Sequence, residues 1–453
     1  MTIHRDFEET KDMTQSGKRQ SGQSPRLRKG GAISSDEIDS LVESAVFGPD
    51  DGAREDSRKK IRELASSLGI FPASIQNLYE AAGKGLYHDI TVPAINLRGL
   101  TYQAARAVFR AALKHRVGAF IFEIARSEIG YTDQRPPEYA ACVLAAAIRE
   151  GFAGSVFIQG DHFQVSRSKY SSEPEKELNV IRGLIQEAIE AGFLNIDIDA
   201  STLVDIERRK LEEQQEKNCL VTADMTKFIR GLEPKGTTIS VGGEIGEVGK
   251  TNSTVRDLRA FMAGYLGLLG LNVKGISKIS VQTGTTHGGV VLPDGSIAEV
   301  EIDFQTLKEL SKVAREEYGL GGAVQHGAST LPDEAFDRFP EVGTLEVHLA
   351  TGFQNLIYDS PRFPKELLTK IYEHLRRKYI SEKDVEDTEE QFLYKTRKKA
   401  FGDFKREMWN LPEENLTDIR GALEDRFSLL FRKLNVVDTV ELVGRYIVKS
   451  SPL

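Results

Sequence analysis

Apolar residues recur along the chain in two rhythms. Between positions 56 and 83, Ile61, Leu64, Leu68 and Ile70, then Ile75, Leu78 and Ala81, follow one another mostly at three- or four-residue spacing, which predicts helix. Beyond them, short apolar runs alternate with helical segments. The runs fall at 91–96, 119–124, 155–159, 193–198, 237–241, 278–282, 322–325 and 344–349. The segments at 102–115, 138–150, 177–191, 254–268 and 304–317 carry helical spacing. Eight strand-like runs separated by helices predict an α/β protein built as a closed parallel (β/α)8 TIM barrel. A doubly wound open sheet would use fewer strands and a glycine-rich turn after the first, and none follows Asn96.

The flanks differ from this core. Residues 1–53 are expected to form a disordered polar tail, because a stretch such as Lys18-Arg19-Gln20-Ser21-Gly22 has almost nothing to bury. Within it, Ser35-Asp36-Glu37 is suited to cap one amphipathic helix. The barrel with its N-terminal helices is expected over 54–360. A helical C-terminal extension is expected over 361–453, with charged helices at 365–379, 388–399 and 416–434 that pack on their own barrel or on a second subunit.

Composition narrows the function. A net charge of -8 argues against nucleic acid as a partner. Cys142 and Cys219 are too few and too far apart for a disulfide framework, which suits a reducing compartment. No run of 18 apolar residues exists and the N-terminus lacks the apolar core of a signal peptide, so a cytoplasmic protein without a membrane partner is expected.

Chemistry is expected just past the C-terminal strand ends, where barrels keep their active sites. His162 follows Ile158-Gln159-Gly160-Asp161, His287 follows Gly284-Thr285-Thr286, and His326 follows Ala323-Val324-Gln325. One histidine at a strand end is more often structural. Three at equivalent ends point to a zinc site with an open position, since neutral imidazole is a good zinc ligand. Asp161 beside a ligand is placed for acid–base work, and Asp199 and Glu244 occupy two further strand ends. Asp199 is equally suited to cap the turn that begins at Ala200-Ser201. Glycines after two histidines, in His287-Gly288-Gly289 and His326-Gly327-Ala328-Ser329, offer backbone N–H groups to an anion, or simply make tight turns.

These residues resemble the class II fructose-bisphosphate aldolases. The resemblance rests on Val92-Pro93-Ala94-Ile95-Asn96, Gly160-Asp161-His162, Gly243-Glu244-Ile245-Gly246, Gly284-Thr285-Thr286-His287-Gly288, Ile302-Asp303-Phe304-Gln305-Thr306-Leu307 and His326-Gly327-Ala328-Ser329-Thr330-Leu331. It implies that His162, His287 and His326 bind a catalytic zinc, and that Asp199 and Glu244 match positions holding a second or alternative cation, divalent or monovalent. It gives Asp161 the proton transfer at the hydroxyl beside the broken bond and places Asn96 on the substrate. Gly288, Gly327, Ala328, Ser329, His348 and Thr351 match the phosphate cradle. The implied reaction is reversible cleavage of fructose 1,6-bisphosphate, a small phosphorylated sugar, by a homodimer or larger homo-oligomer. Zinc would offset the charge of the enediolate, so no lysine Schiff base is needed.

Three departures bear on the substrate. Where the family carries adjacent acidic residues that exchange the enediolate proton, this chain has Thr251-Asn252, so either Glu247 substitutes or the step is performed differently. The phosphate segment begins with His348 and contains Ala350, where the family has asparagine and an Asp or Asn. The segment Phe122-Glu123-Ile124-Ala125-Arg126-Ser127-Glu128 is closer to the companion-subunit relatives of tagatose-bisphosphate aldolase. A zinc aldolase or retro-aldol epimerase for another ketose, and a non-catalytic partner subunit, therefore stand beside the first reading. Lys395, Arg397, Lys398 and Lys399 supply either a cation for a second phosphate or a solvated basic face.

Overall fold

A computed structural model describes residues 33–246, 251–284, 292–293 and 301–447 of the chain. The strands are β1 (Ile70–Ala73), β2 (Val92–Asn96), β3 (Ile121–Ala125), β4 (Gly154–Gln164), β5 (Asn195–Asp199), β6 (Ser240–Glu244), β7 (Lys278–Val281), β8 (Ala323–Gln325) and β9 (Glu346–Leu349). β2 to β9 pair in parallel, each with the next in sequence, and β9 returns to β2, which closes an eight-stranded barrel. β2, β3, β5, β7, β8 and β9 are buried at every residue, as a barrel covered by helices requires. All eight apolar runs became barrel strands.

The helices that follow these strands form the outer ring, led by Thr101–His115, Pro136–Glu150, Pro174–Glu190, Leu211–Leu232, Val255–Leu269 and Phe304–Tyr318. After β8 the helix is only Arg338–Glu341, and after β9 only Thr351–Tyr358. The C-terminal helix Glu413–Lys433 fills that side of the ring by packing on Thr101–His115 and Thr351–Tyr358. Its end is tied to the barrel floor, where Thr91 N donates to Leu434 O at 3.1 Å and Thr439 Oγ1 accepts from Gly118 N at 3.0 Å. The extension thus packs on its own barrel. Among the described residues no helix is long and apolar enough to cross a membrane.

The N-terminal side departs from the sequence reading at one strand and bears it out at one helix. The helical spacing through Ile70 breaks because Gly69, at φ 76°, ends helix Asp51–Ser67, and Pro72 favours an extended edge. Ile70–Ala73 is instead a strand paired with Gly154–Phe157 at the foot of β4. Part of the expected 1–53 tail is also ordered: Ser34 caps helix Ser35–Phe47 in a reciprocal box with Glu37. That helix buries Ile38, Val42, Ala45 and Val46 against Asp51–Ser67 and Pro136–Glu150. It is the amphipathic helix expected from the cap at Ser35-Asp36-Glu37.

One irregularity shapes the barrel mouth. The pairing of β4 with β5 shifts register between Gly160 and Phe163, and His162 within that bulge has φ 41°. A regular strand would send Asp161 and His162 to opposite faces. The bulge turns both toward the mouth. Gly160 makes room for it, since a Cβ there would lie 2.4 Å from the Phe163 ring.

The extension reaches the same mouth. Phe401 lies on Gly99, just after β2, where a Cβ would be 1.9 Å from the ring. Gly99→Ala is therefore expected to displace Phe401 and to destabilise the fold by about 1–3 kcal/mol, as overpacking does. Urea denaturation with an unchanged midpoint would contradict this packing.

Candidate active site and metal centre

The barrel floor carries charge where hydrocarbon is usual. Lys278 begins β7, and its side chain is 1% exposed. Its ammonium lies 2.7 Å from Gln159 Oε1, 3.0 Å from Asp197 Oδ2 and 2.5 Å from Glu346 Oε1. Tyr79 donates to the other oxygen of Glu346. Burial opposes ionisation of Glu346, but Lys278 and His348 overcome it and hold that carboxyl well below its usual range. For Asp197, burial wins over Lys278 and lifts it to about 6. Asp197, Glu346 and His348 have metal-like spacing. The ammonium of Lys278 occupies that cluster, so it is a buried ion-pair network.

Above this floor six groups converge. His162 Nδ1 is 2.9 Å from Asp199 Oδ2 and 3.2 Å from Glu244 Oε2. Asp161 Oδ1 is 3.5 Å from His326 Nε2 and 3.2 Å from His348 Nδ1. The His326 ring lies between those of His162 and His348, with centroids 4.3 and 4.0 Å apart. Donor atoms of His162, Glu244 and His326 all fall within 4.8 Å of one another, a set that fits a divalent cation.

Burial and neighbouring charge pull these groups in opposite directions. Burial, with His348 and His162 nearby, depresses His326 well below the usual histidine range and keeps it a neutral donor. Burial would also discharge His162, but Asp161 and Glu244 outweigh it and raise its pKa well above the usual value. Burial and the neighbouring Asp199 lift Glu244 to about 7, although His162 opposes them. Asp199 is held near 2 against burial, chiefly by His162. Its other oxygen accepts from Ser201 N at 3.0 Å, which ties Asp199 to the turn that follows β5. For Asp161 too burial is outweighed, by His162 and His348, and it stays ionised.

A cavity of about 540 Å³ opens over these groups, lined by Asn96, Arg98, Gly327, Ser329, Thr351 and Lys398 among others. Asn96 is buried, and its amide donates to Glu128 Oε2 at 2.6 Å. Gly327 has φ 70°, which favours glycine, while Ala328 is fully buried beneath the turn. Ser329 Oγ accepts from Ala350 N at 2.5 Å, and Thr351 Oγ1 accepts from Arg98 Nη1 at 3.3 Å. His348 departs from the expected cradle. Its Nδ1 is 2.9 Å from Glu123 and its Nε2 is 2.7 Å from Glu346, so the ring is engaged by carboxylates.

The basic cluster of the extension divides cleanly. Lys395 pairs with Asp387, Arg397 with Asp359, and Lys399 with Glu382. Lys398 instead lines the cavity, 5.9 Å from the Tyr131 ring centre, with no carboxylate partner among the described residues. His287, Gly288 and Glu247 lie outside the described residues. Sequence reasoning did not single out Arg98, Glu123, Asp197, Lys278 or Glu346. A charged residue inside an apolar run was the available signal for the last four.

Comparison with known proteins bears on the fold and the family. No curated protein matches the chain significantly. The fold is shared with a fructuronate-tagaturonate epimerase from Cohnella laeviribosi, at 14% identity and a TM-score of 0.54 over 77% of this chain and 82% of that one. A fructose-bisphosphate aldolase from Campylobacter jejuni aligns at 18% identity and a TM-score of 0.49, over 82% of this chain and 97% of that one. The profile described as fructose-bisphosphate aldolase class-II matches residues 73–411, from the strand at the barrel foot into the C-terminal extension, and the chain belongs to that family.

Proposed function

We propose that the protein is a zinc-dependent aldolase that reversibly cleaves fructose 1,6-bisphosphate to glycerone phosphate and glyceraldehyde 3-phosphate. The observation that carries this reading is the placement of Asp161 against a His162–Glu244–His326 donor set at the floor of a cavity with cations at its rim. His287, by the family resemblance, completes the ligand set, with Asp199 at a second cation position. When bound, zinc supplies a Lewis acid for the negative charge that develops on the ketone half.

The chain's own residues account for the rest. Ionised Asp161 takes the proton from the hydroxyl beside the scissile bond; that bond breaks, and its electron pair passes to the ketone half as an enediolate. Asn96, fixed by Glu128, orients the sugar hydroxyls. Gly327 and Ser329, with Thr351 and Arg98 beside them, hold one phosphate, and Gly288 is assigned to the same cradle. Lys398, whose ammonium has no carboxylate partner among the described residues, holds the second. Glu247 is the proposed proton exchanger on the enediolate carbon. The protein is proposed to work in the cytoplasm as a homo-oligomer.

A second reading, an aldolase or retro-aldol epimerase for another ketose, is favoured by one observation. His348 stands where the family presents asparagine, and its ring is committed to Glu123 and Glu346. A substrate lacking one terminal phosphate would not need that donor.

Three measurements follow. Cleavage of fructose 1,6-bisphosphate is expected to vanish with a chelator and return with zinc, and Asp161→Asn to retain zinc while losing kcat by about 100-fold or more. A zinc-loaded protein inactive on this sugar would favour the second reading. Lys398→Ala is expected to raise KM by about 10-fold with little change in kcat, the mark of a binding contact; an unchanged KM would remove Lys398 from the substrate site. Zinc binding is expected to release protons. His162 without metal holds its proton above the usual range, and only neutral imidazole ligates, so affinity should fall as pH falls. Calorimetric zinc titrations in buffers of different ionisation enthalpy should give different apparent heats, and equal heats would refute the linkage.

A further inference from the structure

Asp161 sits on a bulge, beside a residue in the left-handed region, in the floor of the cavity. A short side chain there needs an external hold if its carboxylate is to meet a hydroxyl in one orientation. The hold comes from below. His348 Nδ1 lies 3.2 Å from Asp161 Oδ1 and 2.9 Å from Glu123 Oε2, so that ring nitrogen faces two carboxylates at ion-pair distance. The opposite ring nitrogen is fixed by Glu346 at 2.7 Å, and the ring face by His326 at 4.0 Å. Glu123 is itself held by Gln159 Nε2 at 3.1 Å, and Gln159 Oε1 accepts from Lys278 at 2.7 Å. The register pairs Glu123 with Gln159 across β3 and β4.

We propose that Glu123 and His348 are a positioning pair, which fixes the Asp161 carboxylate for proton transfer through a chain anchored on Lys278. This rests on the aldolase reading for what Asp161 does, and not for where it is held. An asparagine at 348 would give Asp161 a neutral partner and would need no buried carboxylate behind it. The histidine brings a ring spanning Asp161 and Glu346, and Glu123 fixes its tilt. Neither residue of the pair transfers a proton to the substrate.

The test uses the full-length zinc-loaded protein. Glu123→Gln, nearly isosteric, and His348→Gln are each expected to lower kcat by about 10-fold, with zinc content retained and KM within about 2-fold of wild type. Placed on an Asp161→Asn background, Glu123→Gln is expected to cause no further loss, because its effect passes through that carboxylate. An unchanged kcat in Glu123→Gln, or a loss that multiplies on the Asp161→Asn background, would overturn the proposal. A parallel rise in KM or loss of zinc would also do so, by showing general collapse of the site. A crystal structure of zinc-free Glu123→Gln separates this idea from the reaction assigned to the site. Asp161 turned away from residue 348 supports the pair even if the wild-type protein fails to cleave the sugar, and Asp161 unmoved rejects it.

Discussion

The ammonium of Lys278, enclosed by Glu346, Asp197 and Gln159 inside a closed barrel, is the contact on which the site above it depends. A lone charge there would face a desolvation penalty of several kcal/mol. The cluster is tolerable only because opposite charges from β5, β7 and β9 meet at hydrogen-bond distance. Removing one partner of such a buried set typically costs about 3–5 kcal/mol, because the charge left behind cannot reach water. Lys278 therefore lets Glu346 stay ionised, and Glu346 in turn anchors His348. The floor supplies a rigid electrostatic footing for groups that must be exact in position.

The second constraint is local backbone strain. His162 adopts φ 41°, which costs a residue with a Cβ of order 1 kcal/mol or more. That conformation turns Asp161 and His162, neighbours in sequence, toward the same mouth. Gly160 tolerates the bulge because the Phe163 ring occupies the space a side chain would need. The strained pair is over-determined from around it: Asp199 and Glu244 grip His162, while His348 and His326 flank Asp161.

The C-terminal extension does more than cover the outer wall. Its helix Glu413–Lys433 replaces the outer helices that are short after β8 and β9. Phe401 then seats the preceding turn on Gly99, which brings Lys398 to the cavity rim while its neighbours Arg397 and Lys399 pair with Asp359 and Glu382. Fold completion and cavity chemistry thus come from one segment.

The barrel was legible in the residue pattern because burial of the strands on both faces leaves short, mainly apolar runs, and all eight were recognisable. His162, His326, Asp161, Asp199 and Glu244 were legible too, since strand ends in this architecture are fixed by where the runs stop. Strand Ile70–Ala73 was not, because an edge strand broken by proline carries weak periodicity; the cap at Ser35-Asp36-Glu37 marked where helix Ser35–Phe47 begins, but not what it packs against. Nor could spacing show which of four adjacent basic residues faces the cavity. That depended on Asp387, Asp359 and Glu382 claiming the other three. The ion-pair floor escaped for the same reason: Glu123, Asp197, Lys278 and Glu346 lie on four strands far apart in sequence. Local pattern determined the elements and the ends at which chemistry sits; only closure of the barrel decided which charges meet, because pairing across strands has no signature along the chain.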